Sequence, residues 1–232
     1  MVPTGVPRFN TVAAGFVAAQ LARSLSPASA GILINVDGRT DSHEPVADGA
    51  GAPFICAVLD NGLRVFSPKA GYCLSFLKRR IKACYLLHKG GANGQFRSRD
   101  LFPGLMGEVT RNGFRLSVSF ELDEIPDPPA QVIGYVDGYG NAKTTMALAQ
   151  AIAAGWEAGR IMVISIGGRR LEVICASSIM GVEPGKFVLA PGSSGDPANP
   201  FMEFAVRTTG PACRCNGLSS LGYPEPGVGF TL

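Results

Sequence analysis

"IPDPPAQ", residues 125–131, packs three prolines into seven residues. Proline lacks a backbone N–H and pushes the residue before it towards extended conformations, so neither a helix nor a sheet runs through this stretch. It reads as a linker, and the chain is patterned differently on its two sides. Towards the N-terminus, "VAAGFVAAQLARS" (12–24) has helical spacing. "GILINV" (31–36), "APFICAVL" (52–59) and "ACYLLH" (83–88) are short apolar runs of the kind that form buried strands. Towards the C-terminus come "QVIGYV" (131–136), "RIMVISIGGRRLEVICA" (160–176), "KFVLAP" (186–191) and "FMEFAVR" (201–207), short alternating strands with a Gly-Gly hairpin turn. A helical stretch at 145–156, opened by Lys143-Thr144, interrupts that series and covers one end. The expected fold is an α/β N-terminal domain over residues 1–125, followed by a smaller antiparallel β-barrel-like C-terminal domain over residues 126–232.

Composition bounds the function. The chain has 232 residues, 46% hydrophobic and 17% charged, enough for one large core or two small ones. A net charge of +3 is too small to imply nucleic acid, and Lys78, Arg79, Arg80 and Lys82 read as a solvated helix end. No apolar run approaches the ~18 residues needed to cross a bilayer, and residues 11–24 lack the pattern of a signal peptide. A cytoplasmic protein without membrane partners is expected. Four of the six cysteines (Cys56, Cys73, Cys84, Cys175) sit in apolar runs, where a reduced thiol acts as a small hydrophobe. Cys213 and Cys215 are the one close pair, and with no histidine nearby they read as structural or incidental, so no metal is expected. His43 and His88 are the only histidines, and His88 beside "KGGANG" reads as an exposed loop residue.

"VDGYGNAKTT" (136–145) at first resembles a phosphate loop. That loop needs glycine immediately before the lysine and again five residues earlier, so that bare N–H groups close around an anion. Ala142 and Asp137 occupy those positions, one crowding the anion and the other repelling it. On the local pattern the stretch is a ligand loop of another kind or a tight turn carrying a surface aspartate.

Four segments, in this order, carry a resemblance: "LDNGL" (59–63), "QFRSRDLFP" (95–103), "VDGYGNAKTT" and "PGSSG" (191–195) with "FMEFAVR". Together they resemble the S-adenosyl-L-methionine hydroxide adenosyltransferases and the related chlorinases and fluorinases. They correspond to that family's Asp-Asn-Gly loop, Phe-His-Gly-Arg-Asp segment, Asp-x-Phe-Gly-Asn loop and terminal serine-containing strand. The resemblance implies that Asp137 pairs with the α-ammonium of the methionine moiety, that Asn141 hydrogen-bonds adenine, and that Tyr139 lies in the same loop. A carboxylate suits an ammonium, and an amide offers a purine edge both donor and acceptor. It further implies that Ser193 and Ser194 hold the methionine carboxylate, that Asp60 and Asn61 line the substrate, and that Val206 and Arg207 border the adenine. It also implies a homotrimer with each site shared between neighbouring subunits, and no cofactor beyond the substrate itself.

Departures from the family pattern bear on mechanism. Arg97 stands where the family has its histidine, and Ser98 where most hydrolases have glycine and the fluorinase branch has a serine that contacts halide. "NVDGRTDS" (35–42) is a shortened form of the family's Val-Asp-Pro-Gly-Val-Gly stretch that keeps Asp37 and Arg39. The opening Thr-Asp-Phe-Gly segment is absent, with Asn10 the nearest polar substitute, and "DPAN" (196–199) looks like an insertion. An always-protonated arginine cannot act as a base, but Arg97 and Arg39 can polarise a trapped water or hold an anion while Asp37 orients the water. The alternative for Arg97, Arg99 and Asp100 is a surface ion-pair cluster, with Asp100 as N-cap of the following helix. Hydrolysis of S-adenosyl-L-methionine to adenosine and L-methionine is the first expectation. Halide transfer to the same substrate, and binding of S-adenosyl-L-methionine or adenosine without catalysis, are the alternatives.

Overall fold

A computed structural model describes residues 4–27, 30–38, 51–88, 96–114, 118–119, 121–208, 210 and 215–232. The chain forms two compact units, Met1–Pro128 and Pro129–Leu232.

The first unit is a mixed α/β unit around a five-stranded sheet ordered β1-β3-β2-β4-β5. Its strands are β1 (Gly31–Leu33), β2 (Phe54–Leu59), β3 (Arg64–Pro68), β4 (Ile81–His88) and β5 (Val118–Ser119). Only β1 and β3 run parallel; β2 is antiparallel to β3 and β4, and β4 to β5. The alternation of β2 sorts two cores. Ile55, Ala57 and Leu59 pack with Ala14, Ala18 and Ala22 of α1 (Thr11–Ser24), whereas Phe54 and Cys56 pack with Phe102 and Val109 of α3 (Phe102–Asn112). Phe54 and Phe102 stack with ring centroids 3.8 Å apart. The expected strand over 31–36 ends as a strand at Leu33, and β3 was not anticipated: "RVFSP" ends in a proline and is too short to show a period. His88 closes β4 and is half-buried, not a loop residue.

The second unit is a seven-stranded sheet ordered β12-β8-β9-β10-β11-β7-β6 that curls nearly closed. It comprises β6 (Ile133–Val136), β7 (Ala142–Ala147), β8 (Ile161–Ile166), β9 (Arg169–Cys175), β10 (Phe187–Asp196), β11 (Asn199–Val206) and β12 (Phe230–Thr231). A bridge between Val132 and Gly229, with the Phe230 N–H donating to the Gln131 carbonyl at 3.0 Å, ties the two ends together. Inside lie Ile133, Met146, Ile164, Leu189, Met202 and Phe204. β8 and β9 form the expected hairpin around Gly167 and Gly168. The sheet is not wholly antiparallel, because β9 and β10 run parallel.

The helix expected over 145–156 is confined to α4 (Leu148–Ala153), and residues 142–147 are strand β7. Ala142 and Met146 are drawn into the core as β7 pairs with β6 and β11, and this tertiary pairing overrides the weak local preference. The helix begins where Gln150 Oε1 accepts the Ala147 N–H and Asn199 Oδ1 accepts the Ala149 N–H, both at 2.9 Å. Asn199 belongs to "DPAN", which forms the tip of the β10–β11 hairpin.

Candidate functional site

In the second unit the loop between β6 and β7 is built around one carboxylate. Asp137 Oδ1 accepts the N–H groups of Tyr139 and Asn141, both at 3.0 Å, and Oδ2 accepts from Asn141 Nδ2 at 3.3 Å. The Asp137 and Asn141 backbones close the turn, with Asp137 N–H donating to the Asn141 carbonyl at 3.1 Å. Gly140 is required at its apex: φ is +80°, and a Cβ there would stand 2.4 Å from the Asn216 side chain. The Leu218 N–H at the start of α5 (Gly217–Leu221) donates to the Gly140 carbonyl at 2.8 Å. The loop is therefore a fixed platform, and the Tyr139 side chain stands out from it, 85% exposed.

Three segments converge beside that loop. Lys143 Nζ lies 2.9 Å from Glu203 Oε2, 3.2 Å from Ser193 Oγ and 3.5 Å from Asp137 Oδ2. Lys143 and Glu203 are cross-strand partners of β7 and β11. Their neighbours Ala142, Met202 and Phe204 belong to the core, so by alternation Lys143 and Glu203 lie on the outer face of the curled sheet. Even there the Glu203 side chain is only 8% exposed. Ser194 is buried, and its hydroxyl has no hydrogen-bond partner among the described residues.

In the first unit Asp37 and Arg97 meet at one residue. Ala52 donates its N–H to Asp37 Oδ2 at 3.3 Å, and its carbonyl accepts from Arg97 Nη2. The Arg97 guanidinium lies over the Phe102 ring, 5.4 Å from its centroid, and Nη1 is buried without a hydrogen-bond partner among the described residues. The fit is close at Gly51, where a Cβ would come 1.7 Å from Arg97 Nη1. Ser98, the next residue of α2 (Arg97–Asp100), is half-buried. Arg39, His43 and Cys213 lie outside the described residues.

The other expected residues have local tasks. Asn10 is the N-cap of α1, accepting the Ala13 N–H at 2.9 Å. Asp60 and Asn61 make the β2–β3 turn: Asn61 Oδ1 accepts the Leu63 N–H at 3.1 Å, and Asp60 pairs with Arg80 at 2.9 Å. Hydrogen bonding from Arg80 holds the Asp60 carboxyl below its ordinary value. Val206 is buried at the end of β11, and Arg207 donates to the carbonyls of Val182 and Met180. Arg99 and Asp100 form the surface ion pair of the alternative reading, but Asp100 is not the N-cap of α3, a position that Leu101 occupies.

Lys143, Glu203, Gly51 and Ala52 were missed as members of these clusters. For Lys143 the signal is a lysine two residues after Asn141 in a β-rich region, a position that the helical expectation for 145–156 places at a helix start. Glu203, a lone charge inside "FMEFAV", was a second signal, since a carboxylate on a strand of that polarity needs a partner. Gly51 and Ala52 carry no side-chain chemistry to read. Burial pushes the thiols of Cys56 and Cys73 up to about 12 and that of Cys84 up to about 11, so they are inert hydrophobes. Among the described residues, no cluster of three or more His, Cys, Asp or Glu side chains could hold a metal ion, and no helix is long and apolar enough to cross a membrane.

No protein-family model and no curated protein matches the chain. Solved structures do. An uncharacterized conserved protein from Thermotoga maritima is similar with a TM-score of 0.58 and 16% identity, over 87% of this chain and 78% of that one. A conserved hypothetical protein from Thermus thermophilus is similar with a TM-score of 0.61 and 17% identity, over 98% of this chain and 83% of that one. At these identities the likeness is one of fold.

Proposed function

We propose that the chain hydrolyses S-adenosyl-L-methionine to adenosine and L-methionine, as the resemblance to the S-adenosyl-L-methionine hydroxide adenosyltransferases implies. The observation that carries this reading is the convergence of the Asp137 loop, the Ser193 turn and the Glu203 strand on Lys143 Nζ, because these belong to two of the four segments on which the resemblance rests. Asp137 and Asn141 would hold the methionine ammonium and the adenine, and Ser193 and Ser194 the carboxylate. Tyr139, with its exposed ring, would offer a face to the purine.

Displacement at the ribose C5′ needs a nucleophile in line with the sulfonium, held in a place that leaves it poorly solvated. Methionine is a good leaving group, so water positioning is the main task. Asp37 would orient that water, with Arg39, Arg97 and Ser98 stabilising the developing charge. The joint hold of Asp37 and Arg97 on Ala52 supports their acting together. Asn10, Asp60, Asn61, Val206 and Arg207 would shape the surroundings through the turns and caps they form. A homotrimer, a cytoplasmic location and the absence of any cofactor belong to the same proposal.

Incubation with S-adenosyl-L-methionine, with and without chloride, followed by chromatography for adenosine and 5′-halo-5′-deoxyadenosine, tests it. A halide-dependent product would favour a second reading, in which the buried Arg97 Nη1 and Ser98 form an anion site. Stoichiometric binding without either product would make the chain a binding protein.

A further inference from the structure

The charges around Lys143 do not balance. Two carboxylates, Asp137 and Glu203, face one ammonium, and Lys143 is the only cation within ion-pairing distance of either among the described residues. The Lys143, Asp137 and Glu203 side chains are 13%, 20% and 8% exposed, so water screens the surplus negative charge poorly. The Asp137 carboxylate already accepts from Tyr139 N–H, Asn141 N–H and Asn141 Nδ2, and a second cation beside it would neutralise the surplus.

The three contacts of Lys143 are also unequal. Nζ is close to Glu203 at 2.9 Å and to Ser193 at 3.2 Å, but stands 3.5 Å from Asp137. An ammonium has three donors. Two serve Glu203 and Ser193, which leaves the third as a loose partner for Asp137. A ligand ammonium that pairs with Asp137 neutralises the cluster and frees that third donor. An α-amino acid carries its carboxylate on the same carbon as its ammonium, so the carboxylate arrives beside Lys143 Nζ and Ser193 Oγ. Next in the chain is Ser194, whose buried hydroxyl lacks a partner among the described residues.

We infer that Lys143 is a specificity-determining residue for a zwitterionic ligand terminus: it stands against Asp137 when the site is empty and donates to the ligand carboxylate when a ligand ammonium takes its place. This rests on the reading of S-adenosyl-L-methionine as the substrate. Decarboxylated ligands are the ones it selects against, since they supply the second cation but leave the freed lysine donor without an acceptor.

The test uses two unreactive ligands, S-adenosyl-L-homocysteine and its decarboxylated counterpart S-adenosyl-3-thiopropylamine, titrated calorimetrically alongside S-adenosyl-L-methionine. The proteins are wild type, Lys143→Met and the double variant Lys143→Met/Glu203→Gln. The double variant removes both members of the buried pair, so the test stands even where the single variant, with Glu203 left unpaired, fails to fold. Wild type is expected to prefer the zwitterionic ligand by about tenfold or more. Both variants are expected to lose that preference by weakening the zwitterion alone. Equal affinity of the wild type for both ligands, or a preference that survives in the double variant, overturns the inference while leaving the substrate reading intact. A wild type that binds none of the three ligands overturns both.

Discussion

Asp37 and Arg97 hold Ala52 from its two ends, the carboxylate accepting its N–H at 3.3 Å and the guanidinium donating to its carbonyl. The two side chains come from segments far apart in the chain, and Gly51 leaves the room that lets them meet there. If this pair holds the nucleophilic water, removing the positive charge by Arg97→Met is expected to lower kcat by roughly 10²-fold with KM nearly unchanged. Gly51→Ala is expected to act in the same direction with Arg97 still present, because its Cβ would displace the guanidinium. Steady-state kinetics with a thermal melt of each variant checks this. A raised KM with kcat unchanged would assign Arg97 to the binding surface.

Asp137→Asn keeps an oxygen for the Tyr139 and Asn141 N–H groups and removes the charge. Loss of a charge-assisted bond to the substrate ammonium is expected to cost about 1.5–3 kcal/mol of affinity for S-adenosyl-L-methionine, measured by calorimetry. Unchanged affinity would make Asp137 a turn residue, whose work is the two N–H groups it accepts from Tyr139 and Asn141.

Phe204 anchors the second unit. It is fully buried, meets Phe230 edge-on at 5.2 Å and stacks on Phe187 at 5.8 Å. Phe204→Ala is expected to destabilise that unit by about 3–5 kcal/mol, read from the midpoint of denaturant unfolding.

Cys56, Cys73 and Cys84, raised by burial, stay protonated while their unfolded counterparts ionise near 9. Stability from these groups is thus full below pH 9 and is lost progressively as the pH rises from about 9 towards about 12. At pH 8, in a Cys213→Ser background, iodoacetamide is expected to alkylate the exposed Cys215 and spare the buried thiols. Labelling of Cys56 at the rate of Cys215 would contradict the burial.

What the sequence made legible was local. The α1 helix, the Gly167–Gly168 hairpin and the break in pattern around residues 125–131 each declare themselves within a dozen residues. β7 did not, because "AKTTMA" has no strong preference of its own and becomes a strand through its register with β11, sixty residues on. The same distance hid the Lys143–Glu203 pair. The Asp137–Asn141 loop was readable as a unit because its bonds close over four residues, whereas the meeting of Asp37 and Arg97 at Ala52 runs through a backbone peptide that leaves no mark in composition. The resemblance implies a substrate loop at "LDNGL", and the structure gives that segment a hairpin turn and an ion pair to Arg80.

The most direct measurement is the fate of S-adenosyl-L-methionine itself. Purified protein incubated with it in halide-free buffer is expected to release adenosine and L-methionine in equal amounts over many turnovers, with Asp137→Asn and Arg97→Met both slowed. Intact S-adenosyl-L-methionine after hours with the wild type, at protein concentrations where the folded state is verified, would contradict the hydrolase account.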